Sequence, residues 1–368
     1  MRIGIIGAGQ LGQMLGFAAR DLDIECLFVD PSTAPPAGVC GKVLQRPFDD
    51  TSALAELAES CDVITYEFEN VPVDALLKIE GKVPVYPPVD ALRQAQDRLD
   101  EKRLFEQLDI PLPGYRAVDT RDELAAASEA LGLPLVLKTR RLGYDGKGQF
   151  VVRTRSDIEA AWRTLGGQSL IAEQWVPFDY EVSSIGARNA DGEVRIYALT
   201  RNVHEDGILR RSLSPLDAPP LEKQAADYVR RLLEHLDYIG VLALELFVRG
   251  EALLANEFAP RVHNSGHWTI EGAATSQFEN HLRAVTNMPL GSTASLGHAG
   301  MLNLIGEIPD AARALQDAHL HDYGKTPRPG RKLGHVTVVL DNAEERDARV
   351  DKIDKIVNWS SCSHEDTA

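Results

Sequence analysis

Short apolar runs alternate with helical patterns through residues 1–97 of the chain. Runs rich in β-branched residues predict strands at 3–6, 25–29, 62–66 and 83–86. Segments with helical spacing lie between them at 10–20 and 52–60. This order is typical of βαβ units, so we expect a parallel sheet in the N-terminal part.

Prolines follow the next helical pattern, at 98–108, and the IPLPG sequence at 110–114 suits a linker because proline disrupts element interiors. Capping-box patterns predict two further helix starts, at Thr120-x-x-Glu123 and Ser156-x-x-Glu159. Strands are predicted between them at 135–138 and 149–152. We therefore expect a second domain, an α+β unit built around a glycine-rich turn.

Longer strand patterns begin near residue 170. The predicted strands are 181–187, 194–200, 241–248, 252–258, 301–306 and 335–340. Helical spacing predicts helices at 222–236 and 343–356. Consecutive strands joined by turns favour an antiparallel sheet with helices against it.

The charge and cysteine content exclude several classes of protein. Acidic residues outnumber basic ones by 55 to 39, and the net charge of −16 disfavours nucleic acid as a partner. The four cysteines form no C-x-x-C pair, so we interpret them as reduced thiols. Glycines break the apolar start MRIGIIGAGQLGQML, which resembles neither a signal peptide nor a membrane span. We expect a cytoplasmic protein without a membrane partner.

A glycine motif, Gly7-Ala8-Gly9-Gln10-Leu11-Gly12, lies between a predicted strand and a predicted helix. Asp30 ends the next strand, at the spacing of a ribose-binding acid in dinucleotide-binding folds. Glycines at a helix N-terminus let backbone amides approach any anion, so a single phosphate on another ligand fits equally well. A tight turn without a ligand is the third reading.

A second glycine-rich loop, 143–149, follows the strand that ends at Lys138. It is not a Walker A loop, because no helix follows its last glycine. A loop with cations beside small residues can cover a polyphosphate, as glycine-rich lids do. An ordinary hairpin turn with a solvated basic face remains the alternative.

Two acids are predicted to face each other across a hairpin. If 241–248 and 252–258 pair around Gly250, Glu245 and Glu257 lie on one face and nearly opposite each other. Such close carboxylates repel unless a cation lies between them, and magnesium would satisfy both. Asn256 adds another oxygen ligand.

The segment that follows this hairpin, Arg261 to Trp268, concentrates polar side chains in the sequence RVHNSGHW. Most of them are hydrogen-bond donors, which suits an anionic intermediate and not a zinc site.

Taken in order, these residues resemble the ATP-grasp fold, in which two α+β subdomains hold ATP between them. The blocks that resemble the N5-carboxyaminoimidazole ribonucleotide synthetases of purine biosynthesis are GAGQLGQML, RLGYDGKGQF, NVHEDGILR, NEFAPRVHNSGHW and RPGRKLGH. The resemblance implies a mixed α/β and α+β architecture. It places a Rossmann-like substrate domain at 1–97, a linker helix and lid subdomain at 98–175, and a large subdomain with the C-terminal segment at 176–368.

The resemblance also implies an ATP site in which magnesium, or manganese in its place, neutralises the phosphates. Its metal ligands are Glu245 and Glu257. The implied ATP contacts are Arg98, Lys138, Gly143, Tyr144, Asp145, Gly146, Lys147, Gly148, Gln149, Glu173, Gln174, Trp175, Val176, Glu181, His204, Asn256 and Glu257. Trp175 and Val176 are expected to act mainly through main chain and packing.

For the second substrate, an aminoimidazole ribonucleotide, the resemblance implies a site on the N-terminal domain. Its contacts are Gly9, Gln10 and Leu11 for the 5′-phosphate, Glu67 and Asn70 for the ribose, and Asn264, Ser265 and Arg331. The catalytic residues implied for activated bicarbonate are Arg261, His263 and Lys332, with Asp145 a candidate for taking the amine proton.

The expected activity is ATP-dependent carboxylation of the aminoimidazole amine by bicarbonate, by way of carboxyphosphate, in a homodimer. The nearest alternative is another ATP-grasp ligase, such as a formate-dependent glycinamide ribonucleotide transformylase or a biotin carboxylase-like enzyme. A nicotinamide dehydrogenase would depend on residues 7–12 and Asp30 alone. A non-catalytic nucleotide-binding regulator is a further alternative.

Overall fold

The computed structural model describes residues 1–143 and 147–362, with side chains through residue 357. A parallel sheet of order β3-β2-β1-β4 forms the N-terminal part. Its strands are β1 (Arg2–Ile6), β2 (Glu25–Asp30), β3 (Lys42–Gln45) and β4 (Val63–Tyr66). The helices of this part are α1 (Gln10–Asp21), α2 (Thr51–Ser60), α3 (Val73–Leu76), α4 (Val89–Ala95) and α5 (Arg98–Gln107). The expected parallel sheet is confirmed.

Two details of this sheet differ from the sequence prediction. The run 83–86 forms no strand and makes only an isolated parallel bridge, from Val85 to Ile64. Strand β3 was not predicted, because its four residues are all at least partly exposed and show no apolar run.

The second sheet is antiparallel and has the order β5-β8-β6-β7. Its elements are β5 (Tyr115–Val118), α6 (Arg121–Leu131), β6 (Leu135–Thr139), β7 (Gln149–Val152), α7 (Ile158–Leu165) and β8 (Leu170–Gln174). The capping box of Thr120 and Glu123 is present. The predicted Ser156–Glu159 box is wrong, because Thr154 and Asp157 form the box two residues earlier, at a 3-10 turn that precedes α7.

A nine-stranded sheet, antiparallel in every pairing, carries most of the remaining chain. Its strands are β9 (Tyr180–Arg188), β10 (Val194–Ile196), β11 (Thr200–Glu205), β12 (Ile208–Ser214), β13 (Gly240–Arg249), β14 (Ala252–Ala259), β15 (His298–Ile305), β16 (His319–Asp322) and β17 (Lys332–Leu340). The helices are α8 (Pro219–His235), α9 (Thr269–Gly272), α10 (Gln277–Val285), α11 (Asp310–Arg313) and α12 (Ala343–Cys362). The predicted strand 194–200 is two separate strands, since β10 ends at Ile196 and β11 starts at Thr200.

One apolar core joins the parallel sheet to the large sheet. It runs from β1 through α1 to α10 and includes the fully or almost fully buried Leu15, Phe278 and Trp268. A buried hydrogen bond of 2.8 Å between Thr65 Oγ1 and His281 Nε2 crosses the same junction. The carboxyl ends of β1 and β4 therefore face the segment that follows β14. No helix in the described part of the chain has both the length and the apolarity to span a membrane.

Candidate active site

A cleft of about 760 Å³ lies between the parallel sheet and the large sheet. The residues predicted from the sequence that line it are Gly9, Gln10, Leu11, Glu67, Asn70, Arg98, Gly143, His204, Glu245, Glu257, Arg261, His263, Asn264 and Lys332. Residues far apart in the chain thus converge on one cavity, at the carboxyl edge of a parallel sheet, where open α/β folds bind ligands.

The two acids of the β13–β14 hairpin occupy one wall of this cleft. Glu245 and Glu257 are direct partners in the strand register, so the predicted pairing is confirmed. Burial, followed by the charge of Glu257, raises the pKa of Glu245 to about 7. Burial acts in the same direction on Glu257, but Arg98, whose Nη1 lies 2.5 Å from Glu257 Oε2, reverses the effect and lowers the pKa of Glu257. Glu257 is therefore ionised at neutral pH, whereas ionisation of Glu245 would be favoured by a cation bound next to it.

The register of the hairpin shifts beside these acids, since Leu246 pairs with Ala255. Asn256 is the extra residue of this β-bulge. Its Oδ1 is buried and has no hydrogen-bond partner among the described residues. Asn256 does not line the main cleft, yet it supplies an unsatisfied oxygen next to the acidic pair.

A buried ion-pair network lies behind Glu257. Lys138 Nζ is 2.8 Å from Glu173 Oε2, and Lys102 Nζ is 3.8 Å from Glu173 Oε1. Burial alone would raise the pKa of Glu173, but Lys102 and Lys138 lower it to about 2. Lys102 also donates a hydrogen bond to the carbonyl of Asn256, and it is only 1% exposed. Lys102 was missed because a lysine within a helical pattern normally indicates a solvated face.

The loop between β6 and β7 carries further predicted ATP contacts. Gly148 has φ of +71°, and a Cβ there would lie 2.6 Å from Thr139 Oγ1, so this position requires glycine. Arg98 Nη2 is 3.5 Å from the carbonyl of Gly143. Tyr144, Asp145 and Gly146 lie outside the described residues, Lys147 precedes Gly148, and Gln149 begins β7.

The end of β8, the start of β9 and strand β11 provide a second group of these contacts. His204 Nδ1 lies 2.8 Å from Glu181 Oε2. Burial opposes protonation of His204, but the hydrogen bond to Glu181 and nearby acids raise its pKa. Gln174 is exposed and Val176 partly so, and Trp175 is 39% exposed with the Arg153 guanidinium 5.9 Å from its ring centre.

The glycine turn before α1 is braced by two acids. Asp30 accepts hydrogen bonds from the amides of Ala8 and Ser32, and Glu67 accepts one of 2.7 Å from the amide of Gly9. Burial raises the pKa of Glu67 to about 7. The N-cap residue of α1 makes no side-chain hydrogen bond, so the first-turn amides at Gln10 and Leu11 remain directed towards the cleft. Asp30 therefore braces the glycine turn through two backbone amides, a role that requires no dinucleotide.

Arg261 connects the two halves of the cleft. Its Nη2 lies 2.6 Å from Oε2 of Glu69, in the loop after β4. Gln96 fixes that loop through hydrogen bonds to the carbonyls of Glu69 and Val71. Glu69 was not predicted, although the YEFEN sequence offered it beside Glu67 and Asn70.

The residues after Arg261 divide into a cleft layer and a buried layer. His263 Nε2 is 3.4 Å from Glu245 Oε1, and burial followed by Arg261 and Lys332 lowers the pKa of His263 to about 3. Both polar side-chain atoms of Asn264 are buried and have no hydrogen-bond partner within the described part of the chain, which suits a ligand. Ser265 is fully buried behind His263 and does not line the cleft. The predicted substrate contact of Ser265 therefore does not fit the structure.

The C-terminal segment contributes two lysines to this region. Lys332 lines the cleft, as predicted, whereas Arg331 does not line it and donates to the carbonyl of Thr326. Lys325, which was not predicted, contacts Gln10 Oε1 in the first turn of α1 through its ammonium group. Burial lowers the pKa of Lys325 to about 8. The run of basic residues from Lys325 to Lys332 was the sequence feature that could have indicated Lys325 as a site residue.

Comparison with known proteins agrees with this geometry along the whole chain. The ribonucleotide synthetase preATP-grasp domain model matches residues 1–96, the ATP-grasp domain model matches 103–278, and the phosphoribosylaminoimidazole carboxylase C-terminal domain model matches 299–349. N5-carboxyaminoimidazole ribonucleotide synthase of Pseudomonas aeruginosa is 47% identical over 359 residues, which are 97% of this chain and 99% of that protein. The chain belongs to the N5-carboxyaminoimidazole ribonucleotide synthase family.

Solved structures of this family superpose closely on the chain. The synthetase from Thermus thermophilus has a TM-score of 0.92 at 50% identity, with 96% of this chain and 98% of that chain covered. The enzyme from Aspergillus clavatus, in complex with ADP and 5-aminoimidazole ribonucleotide, has a TM-score of 0.90 at 32% identity, with 97% and 98% covered. The ATP-grasp fold predicted from the sequence is thus confirmed, together with its N-terminal domain.

Proposed function

We propose that this chain catalyses the ATP-dependent carboxylation of 5-aminoimidazole ribonucleotide by bicarbonate, which yields N5-carboxyaminoimidazole ribonucleotide, ADP and phosphate. The observation that carries the proposal is the shared cleft. An acidic pair suited to a metal–phosphate complex, an arginine and a helix N-terminus suited to a second phosphate all line it. The reaction needs an ATP site and a ribonucleotide site that face each other.

Magnesium fits the acidic pair. Glu245 and Glu257 are paired carboxylates, and the buried Oδ1 of Asn256 lacks a partner among the described residues. The described residues hold no group of three or more His, Cys, Asp or Glu side chains that could bind a metal by themselves. Magnesium commonly combines one or two carboxylates with substrate phosphates, so ATP would supply the remaining ligands. When bound, the ion supplies positive charge to the phosphates.

The ATP site extends from this pair towards the small antiparallel sheet. Arg98 and Lys138 bring positive charge towards the phosphates, and both are held by acids, Glu257 and Glu173. The segment from Glu173 to Val176 and the Glu181–His204 pair lie at the end of β8 and on β9 and β11, where the nucleoside would be placed. Gly143, in the segment that follows β6, lines the cleft on this side.

The ribonucleotide site lies on the N-terminal domain. The amides of Gln10 and Leu11 at the start of α1, with the Lys325 ammonium beside them, provide a site for the 5′-phosphate. Glu67 and Asn70 line the adjoining wall and are placed to contact the ribose. The aminoimidazole would then point towards Arg261 and His263.

The chemistry begins with bicarbonate, which is a poor electrophile until it is phosphorylated. A bicarbonate oxygen attacks the γ-phosphorus of ATP, the bond to ADP breaks, and carboxyphosphate forms. Arg261 and Lys332 stabilise its negative charge. The aminoimidazole nitrogen then forms a bond to the carbon and loses a proton, and phosphate leaves with the bridging oxygen.

Isotopic labelling tests this sequence of steps. Bicarbonate labelled with oxygen-18 is expected to transfer label to the released phosphate, because one of its oxygens becomes the bridging oxygen. Release of unlabelled phosphate would exclude the carboxyphosphate step. Formate with glycinamide ribonucleotide, supplied in place of bicarbonate and aminoimidazole ribonucleotide, is expected to leave ATP cleavage unstimulated. The homodimer and the cytoplasmic location stay predictions.

A further inference from the structure

A row of buried polar side chains leads away from His263 beneath the cleft. Ser265 Oγ lies 2.9 Å from His263 Nδ1, and Ser183 Oγ donates to Ser265 Oγ at 2.8 Å. Asn202 Nδ2 donates to Ser183 Oγ at 2.9 Å, and Ser212 Oγ donates to Asn202 Oδ1 at 2.8 Å. The four residues behind His263 are at most 3% exposed. We call this row the serine–asparagine relay.

The strand register of the large sheet explains why these side chains meet. Ser183 on β9 is the partner of Glu245 on β13, so both side chains lie on the face that carries the acidic pair. Asn202 on β11 is the partner of Ser212 on β12. Since Asn202 is bonded to Ser183, the relay connects three neighbouring strands, β9, β11 and β12, along one face of the sheet.

The hydrogen bonds of the relay have a direction. The backbone amide of Ser265 lies 3.3 Å from His263 Nδ1 and can only donate, so this nitrogen carries a lone pair and no proton. Ser183 receives the amide hydrogen of Asn202 and passes its own hydrogen to Ser265. The Ser265 hydroxyl is then left to donate to the same His263 nitrogen. The ring proton must therefore be on Nε2, the nitrogen 3.4 Å from Glu245 Oε1.

We propose that Ser265, Ser183, Asn202 and Ser212 are positioning residues that hold His263 as the neutral tautomer with its proton on Nε2. The effect of this tautomer on catalysis rests on the proposed function. His263 enters the bicarbonate step with its Nε2 hydrogen on the side of the acidic pair, and not as the base that takes the amine proton. A ring held in the other tautomer would present a lone pair to Glu245 and to an anionic intermediate, and both contacts would be repulsive.

The tautomer can be read without substrates. Long-range proton–nitrogen spectra of the full chain labelled with nitrogen-15 histidine distinguish a protonated from an unprotonated ring nitrogen, and a His263→Gln variant identifies the resonances of this ring. We expect Nδ1 of His263 to be unprotonated and Nε2 protonated at neutral pH. A proton on Nδ1, or a doubly protonated ring, would overturn the proposal. This result does not depend on which reaction the enzyme catalyses.

Ser183→Ala tests the relay itself, with Ser184→Ala as the matched control. Ser184 is the next residue of β9, is 2% exposed and faces the opposite side of the sheet. The backbone amide of Ser265 still donates to Nδ1 in Ser183→Ala, but the Ser265 hydroxyl loses the donor that orients it. We therefore expect a minor population of His263 protonated on Nδ1 and a kcat about tenfold to a hundredfold lower, with little change in the KM for ATP, as loss of an orienting partner does. Ser184→Ala should leave both unchanged. An unaltered tautomer and kcat in Ser183→Ala would overturn the relay. Absence of bicarbonate-dependent turnover in the unmodified enzyme would instead defeat the proposed function.

Discussion

The acids around the cleft differ in the partner that each one has. Glu173 lies beside two lysines and Glu257 beside an arginine, so their pKa values are low despite burial. Glu67 and Glu101 accept backbone amide hydrogens instead, and burial raises the pKa of Glu101 to about 8. Glutamates around the cleft are therefore of two kinds at neutral pH: Glu173 and Glu257 are ionised, whereas Glu67 and Glu101 can hold a proton.

Replacing Glu257 with glutamine tests its proposed metal role. The variant keeps the shape of the side chain but loses the charge that pairs with Arg98 and would bind magnesium. We expect magnesium-dependent ATP cleavage to fall at least about a hundredfold, as for removal of an electrostatic transition-state group. Glu251→Gln, in the exposed turn of the same hairpin, should retain activity. Near-normal turnover in the Glu257 variant would show that the hairpin acids are structural.

Glu67 should make the stability of the protein depend on pH. Its pKa rises from 4.5 to about 7 on folding, so between these values the folded chain holds a proton that the unfolded chain has lost. The native state is therefore stabilised relative to the unfolded state at pH 5, and this contribution is lost as pH rises through 7.

The variant Glu67→Gln has no proton to lose at this position. Its free energy of unfolding relative to the unmodified protein should increase from pH 5 to pH 8, by on the order of 1–3 kcal/mol. Urea unfolding at both pH values measures this difference. An equal difference at the two values would contradict the raised pKa.

At the scale of elements, the start of α1 and the segment between β16 and β17 form one phosphate-sized site. The helix supplies amides, and Lys325 supplies a cation next to Gln10. A helix N-terminus and a buried cation attract the same ligand, so their effects on a bound phosphate should add.

Lys325→Met should weaken binding of the ribonucleotide. We expect its KM to rise about tenfold or more while the KM for ATP stays the same, because the change removes a charge-assisted contact on the ribonucleotide side only. Lys352→Met, on the exposed side of α12, is the control and should match the unmodified enzyme. Equal increases in both KM values would place Lys325 outside the phosphate site.

The elements with regular apolar patterns could be predicted from the sequence, whereas several elements whose polar side chains face the cleft could not. The β13–β14 hairpin was predicted with Glu245 opposite Glu257, because two apolar runs flank Gly250, but the bulge at Asn256 was not predicted. All of β11 after Thr200 and all of β12 were missed, because cleft-facing and ion-pairing residues such as His204 and Arg211 replace the apolar alternation. Ser183 and Asn202 carried no signal at all, since a small polar residue in a strand is ordinary until its neighbours across the sheet are known.

At the scale of the whole molecule, the cleft depends on contacts between distant parts of the chain. Arg261 and Glu69 link the large sheet to the loop after β4, and Arg140 holds Asp97 at the start of α5 through two hydrogen bonds of 2.8 Å. A ligand that fills the cleft would contact all of these parts at once. Ligand binding should therefore stabilise the entire fold.

Thermal unfolding with added nucleotides tests this expectation. ATP with magnesium at a hundred times its Kd should add about 3 kcal/mol and raise the Tm by several degrees. NADH at the same concentration should have no effect, because the proposed function gives the cleft an ATP site and a ribonucleotide site, while Asp30 braces the glycine turn. Stabilisation by NADH would favour the dehydrogenase alternative.

The C-terminal strands continue the large sheet, because β15 pairs with β12 along four residues. Residues 299–349, which match a separate C-terminal domain model, therefore belong to the same sheet as the ATP-grasp strands. Grafting this region from a relative would have to preserve the backbone hydrogen bonds between β12 and β15. Removing the region would leave β12 as an unpaired edge strand, which is prone to aggregation. Although separate domain models match them, the two regions share one continuous sheet and form a single structural unit.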